Sequence, residues 1–164
     1  MRDDVRRRAR AVRLAVFDVD GVMTDGTLYI GADGEAFKAF NILDGHGVKM
    51  LQAAGVAVAI ISGRSSRAVE HRAKELGISR VAQGVGDKVA VFEKLAAELG
   101  IAHDACAFVG DDLPDLAVMQ RCGLAVAVAN AVDAVKAAAH YVTSASGGRG
   151  AVREFCDLVI EARR

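Results

Sequence analysis

The chain has 164 residues, 52% of them apolar, and its 21 Lys and Arg balance 21 Asp and Glu. That length supports one domain with a sizeable core, and the composition excludes a disordered chain. A formal charge of zero excludes nucleic-acid binding driven by overall charge, and no apolar run reaches the roughly 18–20 residues of a membrane span.

Residues 1–13 carry six Arg and two Asp, a net of +4, so residues 14–164 carry −4. The first 13 residues form a basic N-terminal arm, read as a solvated helix in preference to an import peptide or an anion-binding arm, ahead of a single domain over 14–164. Asp3 and Asp4 speak against an import peptide. No apolar segment follows the charges, so a cytoplasmic location is expected. Leu14–Val19 is a buried strand. Thr27–Ile30 and Glu35–Phe40, with Asp33-Gly34 between them, predict a β-hairpin insert over about 26–40. Val56–Ile61, Ala105–Val109 and Leu124–Val128 are further apolar strands, of the kind found in a parallel sheet covered on both faces. Lys88–Leu99 shows helical spacing, as do Val152, Phe155, Val159 and Ile160, and Gly77, Gly100 and Gly123 stand at helix ends. The pattern is a doubly wound, Rossmann-like α/β domain. Cys106, Cys122 and Cys156 form no ligand-spaced set, which fits reduced thiols and excludes a zinc site.

Ligands of open α/β sheets bind beyond the carboxyl ends of the strands, and four polar clusters fall there. They are Asp18-Val19-Asp20-Gly21, Ser62-Gly63-Arg64, Lys88 after Gly84-Val85-Gly86-Asp87, and Gly110-Asp111-Asp112-Leu113-Pro114-Asp115. Asp18 and Asp20 lie two apart, so both side chains can emerge on one side. Crowded carboxylates need a cation, and oxygen donors without Cys or His favour Mg²⁺. One Asp can attack phosphorus and a second can move the proton, while a hydroxyl, a Lys and backbone N–H groups hold phosphoryl oxygens. Pro114 suits the first turn of a helix, with Asp112 as its cap, and Asp25 caps the turn that follows it.

The run DVDGVMTDG, then SGR, then a single Lys, then GDDLPD resembles the haloacid-dehalogenase superfamily of phosphohydrolases. The short insert, the Asn41–Gly47 loop and the segment Gly147–Glu154 narrow the resemblance, over about Leu14–Ala162, to the family that acts on 3-deoxy-D-manno-octulosonate (KDO) 8-phosphate in lipopolysaccharide precursor synthesis. The resemblance implies a fold without a cap domain. It makes Asp18 the nucleophile and a metal ligand, and Asp20 the acid/base, with its backbone carbonyl on Mg²⁺. Asp111 becomes the remaining metal ligand, supported by Asp112, and Ser62 and Lys88 bind the phosphoryl group. Substrate contacts would come from Asp20, Asn41, Asp44, Gly45, Lys49, Gly63, Arg64, Arg72 and Lys88. If one helix ran through both, Arg64 and Arg72 would share a face. Leu43 departs from relatives that carry Arg there.

The resemblance also implies a homotetramer joined through the hairpins, with no nucleic-acid or membrane partner. The Gly-rich segment with Arg149, opening a C-terminal tail over about 145–164, would close a neighbour's site. Two other readings share these motifs: the same hydrolysis of a nine-carbon 2-keto-3-deoxy sugar-acid 9-phosphate, and phosphoryl transfer to another alcohol. A third, a non-catalytic oligomerisation module of sugar-nucleotide synthesis, is disfavoured by the intact Asp18, Asp20, Lys88 and Asp111.

Overall fold

Short apolar runs alternate with helices along the whole computed structural model, which describes residues 2–164. The first half comprises α1 (Asp3–Ala11), β1 (Leu14–Phe17), β2 (Tyr29–Gly31), β3 (Gly34–Phe37), α2 (Ile42–Ala53), β4 (Ala57–Ile61), α3 (Arg67–Glu75) and β5 (Arg80–Ala82). The second half comprises α4 (Lys88–Leu99), β6 (Cys106–Gly110), α5 (Leu116–Met119), β7 (Leu124–Ala127), α6 (Asp133–Ala138), β8 (Tyr141–Val142) and α7 (Ala151–Ala162). Six strands form one parallel sheet in the order β5-β4-β1-β6-β7-β8, and β2 and β3 form a separate antiparallel pair.

The chain runs from β1 to β4 and β5 on one side, then crosses to β6 on the other. β1 therefore stands at the switch point where such sheets open a crevice. Its register carries the strand ends to one edge: Phe17 pairs with Ile60 of β4 and with Val109 of β6. Asp18, one residue beyond Phe17, and Ser62 and Asp111, two beyond Ile60 and Val109, then emerge at the same edge. Every residue of β1, β6 and β7 is buried, as expected of strands covered on both faces.

The N-terminal segment packs more deeply than expected. Residues 1–13 were read as a solvated helix or arm; Asp3–Ala11 is a helix, but it buries Val5 and Ala9, and Val12 joins the core. Its four Arg mask an apolar stripe spaced at helical period. Residues 145–164 contain the helix expected from the spacing of Val152, Phe155, Val159 and Ile160. Twelve of them form α7, which packs on α1 and α2 and sets Phe155 edge-on against Phe17 at 5.5 Å. The Asn41–Gly47 loop is a correction: it is the cap and opening turns of α2, with Asn41 Oδ1 accepting from the N–H groups of Leu43 and Asp44. Two short edge strands, β5 and β8, carry no long apolar run and escape the periodicity. Among the described residues no helix is long and apolar enough to cross a membrane.

Candidate active site

Asp18 follows β1 directly, with its N–H donating to Val109 O at 3.1 Å, so the sheet itself fixes its position. The chain then wraps back on itself, because Val22, Met23 and Thr24 all donate to Val19 O. The turn is possible only with glycine at 21. Its φ is +85°, and a Cβ there would stand 2.0 Å from Asp111 Oδ2. Asn130 braces this loop, donating to Gly21 O at 3.0 Å and accepting from Gly147 N–H at 2.6 Å. Gly147 is thus tied through Asn130 to the Gly21 loop of its own chain. Arg149 pairs with Asp25 at 3.7 Å and is largely exposed.

Ser62 follows β4, buried, with its N–H donating to Ala82 O and its C=O accepting from Val85 N–H. Lys88 opens α4, which Asp87 caps by accepting from Ala90 N–H. Its ammonium lies 3.1 Å from Asp18 Oδ1 and 2.8 Å from Asp115 Oδ1. The other oxygen of Asp115 accepts from the N–H groups of Asp111 and Asp112, at 3.0 and 3.4 Å. Asp112 caps the 3₁₀ turn Leu113–Asp115, with Pro114 in its first turn as expected. A cavity of about 300 Å³ is lined by Asp18, Asp20, Ser62, Gly63, Arg64, Lys88, Asp111, Asp112 and Asp115, together with Gly26 and Pro114.

The carboxylates are crowded. Burial, then the charge of Asp115, raises the pKa of Asp18 to about 6, although Lys88 pulls it down. Burial, then Asp18 and Asp115, raises Asp111 to about 8. Carboxyl oxygens of Asp18, Asp111 and Asp115 approach within 4.8 Å of one another. Both oxygens of Asp115 are already committed within the fold. Asp18 and Asp111 are therefore the pair left to hold a cation, with Asp115 buttressing them. An oxygen-only donor set suits a hard divalent ion.

The other candidates lie elsewhere. Asn41 is the cap of α2, and Asp44 is buried beneath α7, where its Oδ1 accepts from Arg153 N–H at 2.9 Å. Gly45 is small because Arg72 fills the space beside it: a Cβ would meet Arg72 Nη2 at 2.3 Å. Arg72 Nη1 pairs with Glu75 at 3.2 Å. Lys49 is exposed on α2. None of these five lines the cavity. Arg64 and Arg72 do not share a helix face, because α3 begins at Arg67 with Ser66 as its cap. The residues that sequence reasoning missed are Lys38 and Glu35 of the hairpin, which contact Asp20 and Arg64. Two charged residues three apart at an exposed hairpin carry no signal beyond a solvated face.

The comparisons agree with this geometry. Over 161 residues the chain is 48% identical to the 3-deoxy-D-manno-octulosonate 8-phosphate phosphatase KdsC of Yersinia pestis, covering 98% of this chain and 86% of that one. The chain belongs to the KdsC family. The model of haloacid dehalogenase-like hydrolases matches residues 80–155, which include Lys88 and Asp111. A KdsC-family crystal structure from Moraxella catarrhalis, in complex with magnesium, phosphate and KDO, superposes with a TM-score of 0.96 at 40% identity, covering 99% of this chain and 94% of that one. The cobalt-bound phosphatase of Haemophilus influenzae superposes at 0.93 with 39% identity, covering 95% and 91%. A divalent cation therefore fits both the acidic pair and the family.

Proposed function

We propose that the chain is a Mg²⁺-dependent phosphomonoesterase that hydrolyses KDO 8-phosphate through a phosphoryl group carried on Asp18. The observation that carries this reading is the buried Lys88 ammonium between Asp18 and Asp115, in a cavity walled by Ser62, Gly63 and Arg64. The substrate follows from relatives 46–48% identical that are named as KDO 8-phosphate phosphatases, and from the relative crystallised with KDO.

Asp18 and Asp111 would hold the cation, with the Asp20 carbonyl. Bound there, it supplies charge neutralisation to the phosphoryl oxygens and relieves the repulsion between the two carboxylates. Ser62, the Gly63 backbone and Lys88 orient the phosphoryl group. The Asp18 carboxylate forms a bond to phosphorus as the ester P–O bond breaks, and Asp20 gives its proton to the departing sugar oxygen. Asp20 then takes a proton from water, whose oxygen bonds to phosphorus. The bond from phosphorus to Asp18 breaks and inorganic phosphate leaves. Arg64, half exposed and lining the cavity, would offer its guanidinium to the sugar-acid carboxylate.

The reaction belongs to lipopolysaccharide precursor synthesis, and we assign it to the cytoplasm. The exposed Leu28, Ile30 and Phe37 of the hairpin are read as the contact of a homotetramer, which light scattering tests. The deciding experiment for the activity is phosphate release from a panel of sugar phosphates with and without Mg²⁺. Strong preference for KDO 8-phosphate, lost on chelation, is expected. Equal rates across the panel, or preference for a nine-carbon acid, would refute the substrate assignment.

A further inference from the structure

An acid that must protonate a leaving oxygen works only when it is held facing that oxygen, since a misplaced group forfeits on the order of 10²-fold in rate. Asp20 is held by a residue outside the four strand-end clusters. Lys38, which follows β3, sets its ammonium 2.6 Å from Asp20 Oδ1 and 3.0 Å from Glu35 Oε2. Its side chain is only 3% exposed and does not line the cavity, so it is out of reach of substrate. Glu35 extends the brace: Oε1 accepts from Ser66 Oγ at 2.8 Å and Oε2 from Arg64 Nη2 at 3.3 Å. The hairpin is thereby tied to the loop that carries Ser62, Gly63 and Arg64.

The two oxygens of Asp20 are not equivalent. Oδ1 is committed to Lys38. Among the described residues Oδ2 makes no hydrogen bond, and its ion-pair partner is Arg64 Nε at 3.7 Å. Two cations, Lys38 and Arg64, face two carboxylates, Asp20 and Glu35, so this cluster is balanced without a metal. That is the reverse of the Asp18 and Asp111 pair.

Building on the phosphatase reading, we propose that the Lys38–Glu35 pair is a positioning device for Asp20. It fixes Oδ1 and leaves Oδ2 as the oxygen that carries the proton to and from the reacting groups. Lys38 is a positioning residue and touches no substrate.

A positioning role has a signature that mere support of the hairpin lacks. A departing alkoxide of a sugar needs the proton, whereas p-nitrophenolate leaves without it. The ratio kcat/KM covers the steps through ester cleavage, so hydrolysis of the phosphoryl-Asp18 does not enter. The test measures kcat/KM on p-nitrophenyl phosphate, phenyl phosphate and an alkyl sugar phosphate, for the wild type, Lys38→Met, Lys38→Arg, Glu35→Gln and Asp20→Asn. Lys38→Met should lose about 10²-fold on the alkyl ester and less than about tenfold on the p-nitrophenyl ester. Asp20→Asn should show the same ordering with a larger loss. Lys38→Arg should recover part of the alkyl activity, and Glu35→Gln should show the ordering in weaker form. Inhibition by inorganic phosphate should hold in every variant, reporting an intact phosphoryl site. If Lys38→Met fails to fold, the ordering in Lys38→Arg and Glu35→Gln decides. Equal losses on all three esters, or no loss, would overturn the positioning role. A wild type that hydrolyses none of the esters would instead overturn the phosphatase reading, and this role with it.

Discussion

The rim around Asp18 and the joint around Asp44 both bury charge, and they dispose of it differently. At the joint, Asn41 caps α2, Asp44 receives the Arg153 N–H of α7, and Arg72 lies in the gap left by Gly45. Burial raises the Asp44 pKa, and its Oδ2 has no hydrogen-bond partner among the described residues. These groups serve to join α2, α3 and α7. At the rim, Asp18 and Asp111 are pushed up to about 6 and about 8 with only one ammonium between three carboxyls. A cluster that the fold leaves uncompensated calls for a ligand from outside. Both groups of residues carry the resemblance in the sequence. What separates them is whether the chain itself consumes their hydrogen-bonding and charge capacity.

The largest effect expected from this contrast is at Asp18. Asp18→Asn should cost on the order of 10⁴-fold or more in kcat, as loss of a covalent nucleophile does. Its melting temperature should not fall, because a crowded charge is removed. Near-normal turnover would take Asp18 out of the nucleophile's role. Asp111→Asn should come next. Calorimetry should show the metal-free variant melting above the metal-free wild type, and added Mg²⁺ should no longer raise the melting temperature. Destabilisation with the Mg²⁺ response intact would move Asp111 to the structural group.

Asp44→Ala should do the opposite, costing about 1 kcal/mol of stability in denaturant unfolding. Its kcat and KM should stay close to those of the wild type. A large rise in KM without destabilisation would shift Asp44 into the site and break the contrast. The smallest effect is at His140, another group spent within the fold: its Nδ1 accepts from Ala125 N–H at 2.9 Å. Burial first, then Arg8, holds its pKa below the ordinary 6.5. The unfolded chain therefore takes up a proton before the folded one as pH falls. The histidine's contribution is complete above about pH 6.5 and is lost progressively below it. His140→Gln should flatten the acid side of the melting-temperature profile, and an unchanged slope would exclude that role.

The centre of the fold was legible because strand-end placement is a short-range property. Val56–Ile61 followed by Ser62-Gly63, and Ala105–Val109 followed by Gly110-Asp111, declare both a buried strand and a polar rim. The periphery was harder to read for physical reasons. In α1 the stripe of Val5, Ala9 and Val12 is diluted by arginines whose stems cover the surface. In α2 the glycines at 45 and 47 lower helix propensity and suggest a loop, yet they are small to admit Arg72 and Arg153. The cap Asn41 and the spacing of Val48 and Leu51 were the signals that pointed to a helix. The Lys38 brace was illegible, since it exists only once the hairpin folds back over the rim.

The central claim is that the uncompensated carboxylates at the rim carry chemistry and that Asp18 takes the phosphoryl group. Its most direct test is acid quenching of the enzyme during turnover of KDO 8-phosphate with Mg²⁺, followed by peptide mapping by mass spectrometry. A phosphoryl group is expected on Asp18, absent without Mg²⁺ and absent in Asp18→Asn. Rapid phosphate release from an enzyme that at no time carries phosphate on Asp18 would contradict it.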